Sequence, residues 1–235
     1  MRLDKYLANM GVGTRTEVKT LIKKGRVRVN QDICKKAETK IDENTDLVFL
    51  DEEQINFVDK EYIMFHKPKG CVSATEDLAE KTVLDYIESP IKKQLFPVGR
   101  LDKDTEGLLL ITNDGELAHE LLSPKKHVKK IYYAKVEGKV TQEDVEAFAK
   151  GLDLGDFQAM PAELKILAED DYSEIEIGIY EGKFHQVKRM FEAVGKKVVY
   201  LKRLSMGDLV LDPQLALGEY RPLTAEELED LKRDL

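Results

Sequence analysis

Gly99-Arg100-Leu101-Asp102-Lys103-Asp104-Thr105-Glu106-Gly107-Leu108-Leu109-Leu110-Ile111-Thr112-Asn113-Asp114-Gly115 is the densest stretch of this 235-residue chain. Its first half, 99–107, reads as a polar, acid-rich loop. Leu108 to Ile111 is a short apolar run and predicts a buried strand. Asn113-Asp114-Gly115 signals a turn, after which Leu117, Leu121 and Leu122 mark one face of a helix over 116–122. The loop carries Asp102, Asp104 and Glu106. Paired carboxylates do acid–base work or hold a metal. One oriented, ionised carboxylate can be a covalent nucleophile. That role needs a cation nearby, because burial alone raises a carboxyl pKa. No second acidic cluster accompanies this one, which ranks a metal low. On spacing alone, a solvated acidic turn is the favoured reading.

Outward from the loop, the chain alternates strands and short helices. Tyr62 to His66 reads as a strand, broken by the turn Lys67-Pro68-Lys69-Gly70. Val83, Leu84, Tyr86 and Ile87 predict a short helix ending near Ser89-Pro90. His127 to Gly138 reads as a strand closing in a turn, and Thr141 to Lys150 as an amphipathic helix that buries Val145 and Phe148. Glu174 to Tyr180 alternates as a strand, Gly182 turns the chain, and a helix starts over His185–Phe191 with basic residues on one side. A strand at Val198–Leu201 precedes Arg203-Leu204-Ser205-Met206-Gly207. Thr224 and Glu227 form a capping box for a last helix. His66, His119 and His127 are scattered and are not obvious ligands.

The N-terminal segment has another character. Leu3, Tyr6, Leu7 and Met10 share a helical face that Gly11 ends. Thr14 and Glu17 cap a second helix, where Val18, Leu21 and Ile22 form the apolar stripe and Gly25 closes it. Its opposite face carries Arg15, Lys19, Lys23 and Lys24. Arg26-Val27-Arg28-Val29 alternates with both arginines on one face, Asn30-Gln31-Asp32 turns, and Asp46 to Leu50 is a further strand. Residues 51–61 read as a linker or the end of this module. The chain's formal charge is −8, yet residues 1–40 hold eleven Lys/Arg against four Asp/Glu, a local +7 that leaves −15 for the rest. A local excess of this size neutralises several phosphates whatever the global sign.

Composition removes several classes. A hydrophobic fraction of 42% supports a sizeable core, so general disorder is not expected. No apolar run approaches the ~20 residues of a membrane span, and the first residues lack a signal peptide's apolar core, so a soluble, cytoplasmic protein is expected. Cys34 and Cys71 form neither a disulfide framework nor a zinc site.

Two resemblances sharpen this reading. RLDKYLANMGVGTRTEVKTLIKKGRVRVNQ, with weaker likeness to about residue 55, resembles the S4 RNA-binding domain. Gln31 departs from the glycine that often follows the asparagine there. GRLDKDTEGLLLITNDG resembles the signature of pseudouridine synthases of the ribosomal small-subunit (RsuA-type) family, and the likeness runs from the S4-like start to GEYRPLT near the end. The resemblance implies an α+β protein: an S4-like domain over 1–58, then a catalytic domain over 60–235 built on a mainly antiparallel mixed sheet with flanking helices. It makes Asp102 the catalytic residue and gives Arg100 the task of displacing or holding a flipped nucleotide. Lys130-Ile131-Tyr132 matches the motif whose tyrosine stacks on the target base, and the adjacent Tyr133 is read as core. Gly182-Lys183-Phe184-His185-Gln186-Val187-Lys188-Arg189-Met190 matches the motif whose basic residue pairs with the aspartate, so Lys188 is the expected partner. Arg189 is the alternative, or a phosphate contact. Related synthases often have arginine at the Lys188 position, and lysine is a point charge rather than a planar fork. Leu204 takes the position of the apolar residue packed against the tyrosine. His185 is expected to order its turn or touch RNA.

The implied activity converts one uridine of ribosomal RNA to pseudouridine, with the small subunit as the expected target. It is an isomerisation and calls for no cofactor and no metal. Arg2, Arg15, Lys19, Lys23, Lys24, Arg26 and Arg28 would supply RNA affinity. The expected partner is ribosomal RNA, within a partly assembled small subunit, with the chain as a monomer and no membrane association. The rivals are a large-subunit synthase of the same family, a non-catalytic ribosome-assembly protein that binds RNA, and a carboxylate-dependent RNA hydrolase. The last would cleave the strand and depend on metal.

Overall fold

The computed structural model describes residues 1–233 and divides into two compact units. The first comprises Met1–Glu61 together with Ile87–Leu95. The second comprises Tyr62–Tyr86 and Phe96–Leu235.

In the first unit, helix α1 spans Leu3–Asn9 and α2 spans Arg15–Lys23. The Thr14/Glu17 capping box forms as the sequence predicts, with both reciprocal hydrogen bonds present. Leu3, Tyr6, Leu7, Val18 and Ile22 are buried. A four-stranded antiparallel sheet follows, from β1 (Val27–Val29), β2 (Asp32–Ile33), β3 (Val48–Leu50) and β4 (Glu53–Ile55), in the order β2-β1-β3-β4. Residues 51–61 are therefore no linker. Glu53–Ile55 pairs with β3, the Ile55 carbonyl accepts from the Tyr6 hydroxyl at 2.7 Å, and Phe57 stacks on Tyr6 with ring centroids 5.6 Å apart. Acidic side chains on an edge strand hid this pairing from the pattern. Residues 87–95, expected in the catalytic part, pack here instead, burying Ile87, Ile91 and Leu95. Gly11 shows how close the approach is: at φ +75°, a Cβ there would stand 2.4 Å from the Pro90 carbonyl oxygen.

The second unit is built on a nine-stranded sheet. Its strands are β5 (Tyr62–Lys67), β6 (Phe96–Pro97), β7 (Glu106–Thr112), β8 (Lys130–Glu137), β9 (Glu163–Ala168), β10 (Tyr172–Ile179), β11 (Lys197–Met206), β12 (Leu209–Val210) and β13 (Tyr220–Pro222). The helices are α3 (Gly115–Leu122), α4 (Gln142–Lys150), α5 (Gln186–Ala193) and α6 (Ala225–Arg233). The main path is β13-β5-β7-β11-β8-β10-β9, with β6 beside β7 and β12 beside β11. Every pairing is antiparallel except β7 with β11, which run parallel over only Glu106–Gly107 and Lys202–Arg203. That short seam joins the two halves of the sheet. It requires glycine: at φ +107°, a Cβ on Gly107 would stand 2.2 Å from the Arg203 carbonyl oxygen and 2.6 Å from its nitrogen.

Leu108 and Leu110 of β7 bury against Leu117, Ala118 and Leu121 of α3 and Leu231 of α6. Elsewhere Phe148 of α4 meets Phe191 of α5 with centroids 4.8 Å apart. Three local expectations change. The strand after the acidic loop starts at Glu106, not Leu108, and every residue of it is buried. The predicted helix at 83–87 is a single 3₁₀ turn, Val83–Tyr86. The strand at 198–201 runs on to Met206. Among the described residues, no helix is long and apolar enough to cross a membrane.

Candidate active site

The acidic loop enters β7 on the side where the sheet halves meet, and a buried lysine shapes it. Lys67 ends β5 and is fully buried. Its ammonium donates to the carbonyl oxygens of Asp102 (3.0 Å), Thr105 (2.9 Å), Pro68 (3.1 Å) and Lys103 (3.4 Å). Burial pushes its pKa down, opposed by Cys71 and the nearby carboxylates. The Thr105 amide closes the turn by donating to the Asp102 carbonyl at 3.1 Å. Ser73 completes the frame, donating to the Leu101 carbonyl and accepting from its amide. With its backbone tied down, the loop presents the Asp102 side chain, 23% exposed, to a cleft.

The cation required to hold that carboxylate comes from α5. Lys188 Nζ lies 3.1 Å from Asp102 Oδ2 and 2.6 Å from Asp104 Oδ1. Burial pulls the Lys188 pKa down, and the two carboxylates more than reverse that, so it rises. Asp104 is raised by burial and lowered more strongly by Lys188, so its net shift is downward. His185 caps α5 in the left-handed region, φ 49°. Its Nε2 lies 3.5 Å from Asp102 Oδ1, and its ring stacks on the exposed Phe184 with centroids 3.8 Å apart.

The cleft is lined by Arg100, Leu101, Asp102, Thr105, Tyr132, Ile179, Gly182, Lys183, His185, Gln186, Val187 and Leu201. Arg100 is exposed at its edge and makes no ion pair among the described residues. Tyr132 is 8% exposed on β8, opposite Arg203 of β11. The structure thus brings Asp102, Arg100, Tyr132 and Lys188 together. It places Arg189 elsewhere: its guanidinium donates to the Leu154 carbonyl at 3.0 Å, pairs with Asp156 and lies over the Phe157 ring. The cation beside Asp102 is Lys188, not Arg189. Leu204 does not line the cleft. A bulge between Arg203 and Ser205 interrupts the register there, and Leu201 faces the cleft with Tyr132 instead.

Sequence reasoning also missed the buried groups behind the site. Lys67 was legible only as part of a turn, although it ends an apolar strand. Glu106 is buried in β7 and accepts from the Tyr200 hydroxyl at 2.7 Å, so it is no loop carboxylate; burial and that bond raise the Tyr200 pKa. Tyr133, beside Tyr132, points away and meets Tyr200 edge-on at 6.0 Å. Lys130 is buried near Arg203, and burial followed by that like charge pulls its pKa down to about 8.

The basic residues of the first unit sort into two kinds. Arg2 is held by Asp4, Arg26 by Asp51, and Arg28 lies over the Phe49 ring at 3.9 Å. Arg15, Lys19, Lys23 and Lys24 are exposed and carry no ion pair among the described residues. Among the described residues, no three His, Cys, Asp or Glu side chains converge to hold a metal.

Comparison with known proteins gives concordant matches. Residues 61–193 match the family described as RNA pseudouridylate synthase, and residues 1–47 match the S4 domain. The chain is 48% identical to an uncharacterized RNA pseudouridine synthase of Bacillus subtilis, over 97% of each chain. It is 41% identical to the ribosomal small subunit pseudouridine synthase A of Haemophilus influenzae, over 98% of this chain and 99% of that one. A crystal structure of a pseudouridylate synthase, 39% identical, superposes with a TM-score of 0.69 over 98% of this chain and 99% of the other.

Proposed function

The chain belongs to the RNA pseudouridylate synthase family and is a pseudouridine synthase; from that premise we propose that it isomerises one uridine of small-subunit ribosomal RNA, with Asp102 as the catalytic residue. The observation that carries this reading is the Lys188 ammonium 3.1 Å from the Asp102 carboxylate, at a cleft that also holds Tyr132 and Arg100. The likeness to small-subunit synthases over nearly whole chains supports the choice of subunit.

The residues divide the work as follows. Arg15, Lys19, Lys23 and Lys24 bind phosphates and release counterions. Arg100 helps to extrude the uridine, which costs a few kcal/mol and least for an unpaired base. Tyr132 stacks on the extruded uracil, as aromatic rings do with unstacked bases. Leu201 takes the apolar role beside it. Asp102, oriented by Lys188, acts on the sugar or the base. The N1–C1′ bond breaks, the uracil turns, and a C5–C1′ bond forms. The proton leaves C5 and N1 ends protonated, so nothing is oxidised or reduced. The RNA is presented within a partly assembled small subunit, in the cytoplasm.

Purified protein in EDTA, incubated with unmodified small-subunit RNA both naked and partly assembled, should form one new pseudouridine, mapped by chemical labelling and primer extension. Asp102→Asn should bind RNA and form none. Turnover by that variant would remove the catalytic assignment, and product only on large-subunit RNA would remove the subunit assignment.

A further inference from the structure

Thr105 is 1% exposed and lines the cleft together with Asp102 and Tyr132. Its backbone is fully committed: the amide donates to the Asp102 carbonyl, and the carbonyl accepts from Lys67. That leaves its side-chain hydroxyl as the uncommitted group. The hydroxyl oxygen of that side chain is buried and has no hydrogen-bond partner among the described residues. A buried hydroxyl without a partner is destabilising. Three other buried polar atoms share that condition, on His66, Arg203 and Ser205, and none of those residues lines the cleft.

We propose that the Thr105 hydroxyl is a binding group for the target nucleoside, donating a hydrogen bond to an oxygen of the extruded uridine. This rests on the reading that the cleft receives that uridine. The nucleoside suits the donor, since uracil presents two carbonyl oxygens and the ribose a 2′-hydroxyl. The position suits it as well. Thr105 stands on the same turn as Asp102, three residues on, and Lys67 clamps both carbonyls, so the hydroxyl and the carboxylate are held in one rigid frame. A donor fixed in advance beside the reacting bond orients the base at no cost in reorganisation when the base enters. The bond forms only with the extruded base and is one contact among the many the RNA makes, so its loss registers in turnover far more than in overall RNA affinity.

The test sets stability against activity. Thr105→Val replaces the hydroxyl by a methyl at nearly constant volume, and Thr105→Ser keeps the hydroxyl. Full-length wild type and both variants are compared by thermal unfolding, by RNA binding, and by turnover on unmodified transcripts of both ribosomal RNAs and the partly assembled small subunit. Thr105→Val should unfold at the same temperature as wild type or higher, bind RNA equally, and turn over about tenfold more slowly. Thr105→Ser should recover most of that loss. Wild-type turnover by Thr105→Val overturns the proposal, as does a fall in unfolding temperature that Thr105→Ser shares, which makes the residue structural. Product on large-subunit RNA alone defeats the small-subunit reading and leaves the Thr105 comparison standing. No product from wild type on any of these RNAs defeats both.

Discussion

Lys188 Nζ sits between two carboxylates, 3.1 Å from Asp102 Oδ2 and 2.6 Å from Asp104 Oδ1. The shorter contact goes to the more exposed partner, Asp104, whose side chain is 72% accessible. The lysine is therefore anchored by Asp104 while it faces Asp102. Lys188→Met leaves two carboxylates without their shared cation and should lower turnover by ~10–100-fold, the weight of a charge-assisted contact. Lys188→Arg should keep most of the activity. The sign of the pH dependence follows from the shifts. Asp104 is depressed below the ordinary 3.8, so its contribution is full above that value and lost as pH falls through the lower folded-state value. Lys188 is raised above 10.5, so its contribution is full below that value and lost as pH rises through the higher one. The difference in unfolding temperature between wild type and Lys188→Met should be flat between those limits and shrink outside them.

Behind the site, Lys67→Met would leave the carbonyls of Pro68, Asp102, Lys103 and Thr105 without their donor. Relief from burying a charge offsets part of that loss, but removing one partner of a buried polar cluster usually dominates. A destabilisation of about 3 kcal/mol is expected, roughly 6–12 °C in unfolding temperature for a chain of this size. Turnover measured well below the unfolding range should fall too, because the Asp102 backbone is no longer fixed. A variant that loses stability and keeps wild-type turnover would show that the clamp serves folding alone.

The parts of this protein legible in its sequence are those written in local patterns. The Thr14/Glu17 and Thr224/Glu227 capping boxes form as their spacing predicts. The apolar run at Leu108 is a buried strand, and the motif around Gly182 delivers Lys188 to Asp102. What stayed hidden depends on partners far along the chain. Glu106 reads as a loop acid because nothing nearby shows that Tyr200 meets it inside the sheet. Lys67 reads as a turn residue because its acceptors are backbone carbonyls of residues 102–105, which carry no side-chain signature. Leu201, not Leu204, lines the cleft, and the bulge that interrupts the β11 register at Leu204 leaves no mark in composition.

Lys130 illustrates a buried charge whose removal should stabilise. It is 6% exposed, has Arg203 nearby, and its pKa is pulled down to about 8 from 10.5. The unfolded chain thus binds more protons than the folded one between those values, so stability rises with pH across that window. Below about 8 the penalty is complete, of order 3 kcal/mol. Lys130→Met should therefore unfold at a higher temperature than wild type at pH 7. That advantage should fade as pH approaches 10.5, where Lys130 is neutral in the folded chain and only half protonated in the unfolded one. Thermal unfolding of both proteins at pH 7 and near pH 10.5 checks it, and an equal gain at both would assign the effect to packing rather than charge.

In the first unit, the exposed cations that carry no ion pair should matter more to RNA than those already matched. Arg26 is bound twice by Asp51, so releasing it to a phosphate costs an existing ion pair, whereas Lys19, Lys23 and Lys24 have none to lose among the described residues. Each phosphate contact contributes roughly 0.7 to 0.9 to the slope of log affinity against log salt concentration. Replacing Lys19, Lys23 and Lys24 together with glutamine should flatten that slope by about 2 to 3 if each meets one phosphate, and weaken binding at moderate salt. Arg26→Gln alone should change the slope by much less than one contact. Titrations of ribosomal RNA at four or more salt concentrations separate the two. A larger change from Arg26→Gln than from the triple variant would move the contact surface from α2 to the start of β1.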